Sequence, residues 1–125
     1  MRSLSIILPA KNEAEGLRRT LPALRQSFAD AEIIVVNDGS TDDTATVADQ
    51  AGVRVLTSPY SMGNGAAIKR GARAASGEVL VFMDADGQHN AEHIAALLSK
   101  LEDGYDMVVG ARDAGMRTVW LNRHA

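Results

Sequence analysis

The sequence predicts an α/β fold, a mostly parallel sheet with flanking helices, and three observations predict it. Short apolar runs recur at residues 4–8, 32–36, 53–56, 79–83 and 107–109, brief and rich in β-branched residues, as buried parallel strands are. Between them, apolar residues fall at helical spacing. Polar clusters follow four of the runs, at Asn12/Glu13, Asn37/Asp38, Asp84/Asp86 and Arg112. Strands alternating with helices imply right-handed crossovers, which put all four clusters on one edge of the sheet.

Composition narrows the class. With 46% hydrophobic and 23% charged residues over 125 positions, the chain is ordinary for one soluble domain with its own core. Sixteen acids against thirteen lysines and arginines leave a net charge of −3, which offers no general attraction to nucleic acid or anionic lipid. Any phosphate site must therefore be local. The absence of cysteine excludes disulfides and thiol chemistry and fits a reducing compartment. No apolar run approaches the roughly 20 residues of a membrane span. Lys11, Asn12 and Glu13 follow the first run too closely for a signal peptide, so the expectation is a soluble, cytoplasmic chain.

The first run closes at Pro9 and gives way to Lys11, Asn12, Glu13 and Glu15. Leu17, Leu21, Leu24 and Phe28 then mark a helix whose early acids suit its dipole. Pro22 falls inside it, which predicts a kink or a restart, because an interior proline removes a backbone bond and crowds the preceding turn. After the second run, Ser40 or Thr41 is the expected cap of a helix with Asp42 and Asp43 in its first turn and Gly52 as its stop. The third run leads into a loop over residues 58–65, then a helix over residues 66–76 ended by Gly77.

Gly63 and Gly65 at that helix start would let backbone amides approach an anion. Gly63-Asn64-Gly65 nevertheless lacks the third glycine of the dinucleotide fingerprint and the Gly-Lys-Ser/Thr ending of a phosphate loop. Lys69 and Arg70 beyond it read as solvated side chains. Ile94, Leu97, Leu98 and Leu101 mark a further helix ending near Gly104. From residue 114 the pattern fades into a basic segment holding Arg117, Trp120 and Arg123.

The stretch from Glu78 to His89 carries most of the chemistry. Its buried strand ends abruptly in Asp84 and Asp86, where ligands of open α/β sheets bind. Period-two geometry puts the two acids on one side, about 6–7 Å apart at Cα, a distance one cation bridges. Oxygen ligands of this kind suit Mg²⁺ or Mn²⁺, and Gln88 offers a third. The same Asp-Ala-Asp-Gly is also ordinary turn chemistry, with Asn90 as cap of the next helix and Glu92 in its first turn. Arg112 has the fork of donors that matches a phosphate, or is a surface arginine beside Asp113.

Together, Pro9-Ala-Lys-Asn-Glu13, Val35-Val-Asn-Asp-Gly-Ser40, Gly63-Asn-Gly-Ala-Ala-Ile-Lys-Arg-Gly71, Asp84-Ala-Asp-Gly-Gln-His89 and Val109-Gly-Ala-Arg112 resemble the ordered motifs of family 2 glycosyltransferases. The closest likeness is to the dolichol-phosphate mannose synthase and bacterial polyprenyl-phosphate glycosyltransferase branch. The resemblance implies the nucleotide-binding half of a GT-A (Rossmann-like) fold. It also implies an inverting transfer of a hexose from a GDP- or UDP-linked donor to an acceptor, here a polyprenyl phosphate. Pro9, Lys11, Glu13, Val36 and Asp38 match positions that hold the nucleoside. Asp84 and Asp86 match the metal-binding pair, with Asp86 the catalytic position, Ala85 a donor contact and Gln88 a further metal ligand. Arg112 matches an arginine on phosphate.

The sequence departs from the pattern at Lys11, where an aromatic residue often stacks near the base, and at Asn90-Ala91, where prolines are common. Residues 1–113 are thus expected to form the nucleotide-sugar-binding domain, with 114–125 a basic tail that begins an acceptor region. The expected location is the cytoplasm or the cytoplasmic membrane face, through peripheral contact and without nucleic acid. Three other readings compete. One is a truncated domain that binds donor without transferring. Another is a receiver-like switch, which wants an acid cluster after the first strand and a phosphoacceptor after the third. The last is a sugar nucleotidyltransferase, which wants a glycine-rich basic loop where Pro9-Ala-Lys-Asn-Glu13 stands.

Overall fold

The computed structural model describes residues 3–85, 94–95, 98–99, 107–110 and 118–122. The apolar runs form strands β1 (Leu4–Ala10), β2 (Glu32–Asp38), β3 (Arg54–Ser58), β4 (Val79–Met83), β5 (Met107–Gly110) and β6 (Thr118–Asn122). The helices bounded within the described residues are α1 (Ala14–Ser27), α2 (Thr44–Gln50) and α3 (Asn64–Ala74). The sheet order is β3-β2-β1-β4-β6-β5. The first four strands pair in parallel, and β6 runs antiparallel to both neighbours, so the expected mostly parallel sheet is present.

Successive strand residues point to opposite faces, and along β1, β2 and β4 both faces are buried, which is why those runs are continuous rather than alternating. Ile6, Leu8, Ile33, Val35 and Val81 pack with Leu17, Leu21 and Leu24 of α1 and Val47 and Ala48 of α2. Ile7, Ile34, Val36, Leu80 and Phe82 pack on the other side with Ala67 of α3. That helix lies close. A Cβ at Gly71 would come within 2.4 Å of Ile7 Cγ2 and 3.2 Å of Val36 Cγ2, so only glycine permits the approach.

Three expectations need correction. α1 continues through Pro22 without a restart. Pro22 sits on the exposed side, as does Arg18, whose carbonyl loses the missing N–H where solvent can reach it. α2 begins at Thr44, later than a Ser40 or Thr41 cap would place it, while α3 begins at Asn64, two residues before the expected start. Gly63 precedes α3 at φ +97, a conformation that suits glycine and releases the chain into the helix.

The third correction is topological. Thr118–Asn122, for which no strand was expected, is a strand hydrogen-bonded between β4 and β5. Its Thr-Val-Trp-Leu core has strand propensity, but Arg117 and Arg123 flank it and mask the signal. The helical residues 94–95 and 98–99 fall within the helix expected there, with Ile94 fully buried against the α1 face.

Candidate functional site

Strand order reverses at β1, with β2 and β3 on one side and β4 on the other. In an open α/β sheet such a reversal leaves a crevice beyond the carboxyl ends of the two strands that meet there. The pairing traces the opening. β1 keeps register with β2 as far as Ala10↔Asn37, but with β4 only from Leu4↔Val79 to Ile7↔Phe82. Pro9, which has no N–H to give a ladder, stands where the strands separate.

The resulting cleft measures about 450 Å³. The end of β1 contributes Pro9, Ala10, Lys11 and Glu13, and Asp38 comes from the end of β2. Ser61, Gly63 and Asn64 come from the loop and first turn of α3, and Asp84 and Ala85 from the end of β4. Six expected site residues thus share one cleft: Pro9, Lys11, Glu13, Asp38, Asp84 and Ala85. Val36 does not line it, being fully buried on the α3 face of the sheet. Asp86, Gln88 and Arg112 lie outside the described residues. Sequence reasoning missed Ser61 and Asn64, and the Gly63/Gly65 pair was the only local signal for that loop.

Asp38 is 7% exposed, and its carboxylate is occupied by that loop. Met62 N donates to Oδ1 at 2.7 Å, while Ser61 Oγ and Gly63 N donate to Oδ2 at 3.0 and 3.1 Å. The Met62 N–H, joined by Ser61, Gly63 and the charge of Lys11, holds the carboxyl below its ordinary value against the opposing effect of burial. Asp38 is therefore an ionised anchor for the wall of the cleft. Gly39 after it has φ +67, and a Cβ there would meet Ser61 N and Tyr60 C at 2.5 Å, so the loop also needs glycine beneath it.

A second set of bonds fixes the β1 side. Asn12 adopts φ +54, a left-handed conformation that asparagine tolerates, and its Oδ1 accepts Thr41 N at 2.8 Å and Asp42 N at 3.3 Å. In return, Asn12 N donates to Ser40 Oγ at 2.9 Å and Glu13 N to Thr44 Oγ1 at 3.0 Å. Asp42 accepts the Thr44 hydroxyl, Thr44 N at 2.9 Å and Ala14 N at 3.3 Å, satisfying amides at the starts of α2 and α1. These bonds, the Thr44 hydroxyl first, hold its carboxyl below the ordinary value. The loops after β1 and β2 are laced into one rim, which sets where Lys11 and Glu13 stand.

Comparison with known proteins bears on what such a cleft does. Residues 5–125 match the model of the family described as Glycosyl transferase family 2. An uncharacterized glycosyltransferase of Mycobacterium tuberculosis is 36% identical over 123 residues, which cover 97% of this chain and 55% of the relative. An undecaprenyl-phosphate 4-deoxy-4-formamido-L-arabinose transferase of Proteus mirabilis is 31% identical over 135 residues, covering 100% of this chain and 41% of the relative. Among solved structures, glucosyl-3-phosphoglycerate synthase from Mycobacterium tuberculosis, in complex with Mn²⁺, UDP and glucosyl-3-phosphoglycerate, is similar with a TM-score of 0.78 at 30% identity. That match covers 91% of this chain and 45% of the other. The chain spans about half the length of the curated relatives it matches.

Proposed function

The chain belongs to glycosyl transferase family 2, and from that premise we propose that its cleft binds the nucleotide-sugar donor of an inverting hexose transfer to a polyprenyl phosphate. One observation carries this reading. Residues from four separate segments, Pro9 to Glu13, Asp38, Ser61 to Asn64 and Asp84 with Ala85, converge where the strand order reverses. A relative named as an undecaprenyl-phosphate transferase supports the acceptor class, and a structural neighbour holding UDP supports the donor class.

The carboxylate at the end of β4, with the acid and the amide that follow it in the sequence, fits a hard divalent cation. Asp84 brings a half-buried carboxylate to the mouth, and Asp86 and Gln88 follow it with oxygen ligands only. These three would hold Mg²⁺ or Mn²⁺, and the neighbour named above is in complex with Mn²⁺. Bound there, the cation supplies positive charge against the charge that develops on the nucleoside-diphosphate leaving group. Pro9, Lys11, Glu13 and Asp38 take the nucleoside end, with Val36 packed behind them. Ala85 touches the donor, Asp86 is the catalytic position and Arg112 pairs with a phosphate.

The acceptor phosphate is already anionic and attacks without a protein base. Among the described residues no helix is long and apolar enough to cross a membrane. In this reading contact with a lipid acceptor is peripheral and on the cytoplasmic face. The receiver-like alternative is not favoured. Receiver-type sheets place β1 between β2 and β3, whereas here β2 lies between β1 and β3.

Calorimetry with UDP and GDP tests the proposal. The expected result is heat with one nucleotide that requires Mn²⁺, disappears on chelation, and weakens at least about ten-fold in Asp84→Ala and Asp86→Ala, each removing a charged ligand. Binding of neither nucleotide, or equal binding by both variants, would overturn it.

A further inference from the structure

Ser61 and Gly63 face the donor cleft, but Met62 between them lines a second hollow of about 370 Å³, between the end of β3 and α3. One wall is the stripe Ala66, Lys69, Arg70 and Arg73, positions three and four apart that share one face of α3. Ser58 closes the far side and accepts a hydrogen bond from Arg70 Nη1 at 3.0 Å, which holds that guanidinium over the hollow. Lys69 and Arg73 are exposed, and among the described residues neither forms an ion pair. Arg54 adds a fourth cation at the end of the same helix, donating to the Ala74 carbonyl at 2.9 Å beside Glu32 at 3.9 Å. In a chain of net charge −3, this face is a local reversal of sign.

Met62 on that rim, and Tyr60 two residues before it in the same loop, bring apolar surface. Tyr60 and Met62 are 66% and 55% exposed, the two exposed large hydrophobic side chains among the described residues. Cations beside an outward aromatic and an outward thioether are what a lipid interface accommodates, since headgroup phosphates take the charges while the apolar groups leave water. A soluble phosphate ester would fill the hollow yet leave Tyr60, which does not line it, hydrated.

We propose that this face docks the protein on an anionic lipid surface, with a headgroup phosphate seated among Lys69, Arg70 and Arg73 and with Met62 and Tyr60 entering the interfacial layer. The proposal extends the membrane acceptor inferred above but does not need donor to be bound. Docking and donor binding share the 61–63 loop, whose amides are held by Asp38. A protein seated this way presents the cleft next to the surface that carries its acceptor.

The test is co-sedimentation of the 125-residue chain with phosphatidylcholine vesicles, with and without phosphatidylglycerol. Binding is expected only where phosphatidylglycerol is present and should weaken with salt. Lys69→Gln with Arg73→Gln should lower partitioning roughly twenty-five-fold, at about five-fold for each cation removed. Nucleotide binding by calorimetry should stay unchanged in that variant, because neither side chain lines the donor cleft; a failure here is thereby separated from a failure of the donor site. Equal partitioning on neutral vesicles, indifference to the double substitution, or release by millimolar inorganic phosphate at constant ionic strength would each overturn the proposal.

Discussion

The Asp38 carboxylate and the Met62 main-chain N–H stand 2.7 Å apart, a contact that ties the end of β2 to the loop before α3 across 24 residues of chain. Three donors converge on that one carboxylate, so the loop owes its position to a group at a strand end.

Asp38→Asn should test this most directly. Whichever way the amide turns, its NH₂ faces an N–H or hydroxyl that needs an acceptor, so the variant should lose roughly 2–3 kcal/mol of stability. Ser61→Ala removes one donor and leaves the carboxylate paired, for a loss of about 1 kcal/mol. Urea denaturation of the two variants beside the parent measures both.

Acidification should act on the same contacts. Asp38, Asp42 and Glu32 all have folded-state values lowered from the ordinary carboxylate range. For Glu32 burial is the largest single influence and pushes upward, but the hydrogen bonds from Ser76 and Ser5 and the charge of Arg54 together outweigh it. A lowered folded value means that the unfolded chain takes up protons first. The stabilisation is therefore complete above the unfolded carboxylate range, near pH 4, and is lost as pH falls through the folded values. Thermal melting between neutral pH and pH 2 should show this decline, reduced in Asp38→Asn.

Two glycines of α3 should respond in opposite directions. Gly71→Ala drives a methyl into Ile7 and Val36 and should cost about 1–3 kcal/mol despite the better helix propensity of alanine. Gly65→Ala meets nothing within 4 Å and should gain up to about 1 kcal/mol. Chemical denaturation of the pair decides whether close packing or backbone freedom sets the choice of glycine.

Asn12 separates backbone from side chain. Asn12→Ala loses the bonds to Thr41 and Asp42 and strains a left-handed residue, for an expected loss of roughly 2–3 kcal/mol. Asn12→Gly relieves the strain and should recover about 1 kcal/mol of that. If the rim positions Lys11 and Glu13, nucleotide affinity should fall in both variants, measured by calorimetry at a temperature where each is folded.

Local signals account for what the sequence revealed. The runs that became β1, β2 and β4 were readable because both faces of the sheet are covered along them, and the acids at the ends of β2 and β4 were readable because each follows an unbroken apolar run. The partners of those acids were not. Asp38 bonds a loop more than 20 residues away, and no local pattern encodes such a pairing. Pro22 was misjudged because its consequence depends on which side of α1 meets solvent. The strand at Thr118–Asn122 was missed because charged neighbours outweigh a five-residue propensity signal, and its place between β4 and β5 is a matter of sheet order alone.

That placement matters during synthesis. β4, which delivers Asp84 to the cleft, pairs on its outer side with residues made about 40 positions later. Until the ribosome has released Thr118 to Asn122, the outer hydrogen-bonding edge of β4 lacks its native neighbour and remains open to other chains. A stalled or prematurely ended nascent chain should therefore become a substrate for chaperones, even though the nucleotide-facing loops have already emerged.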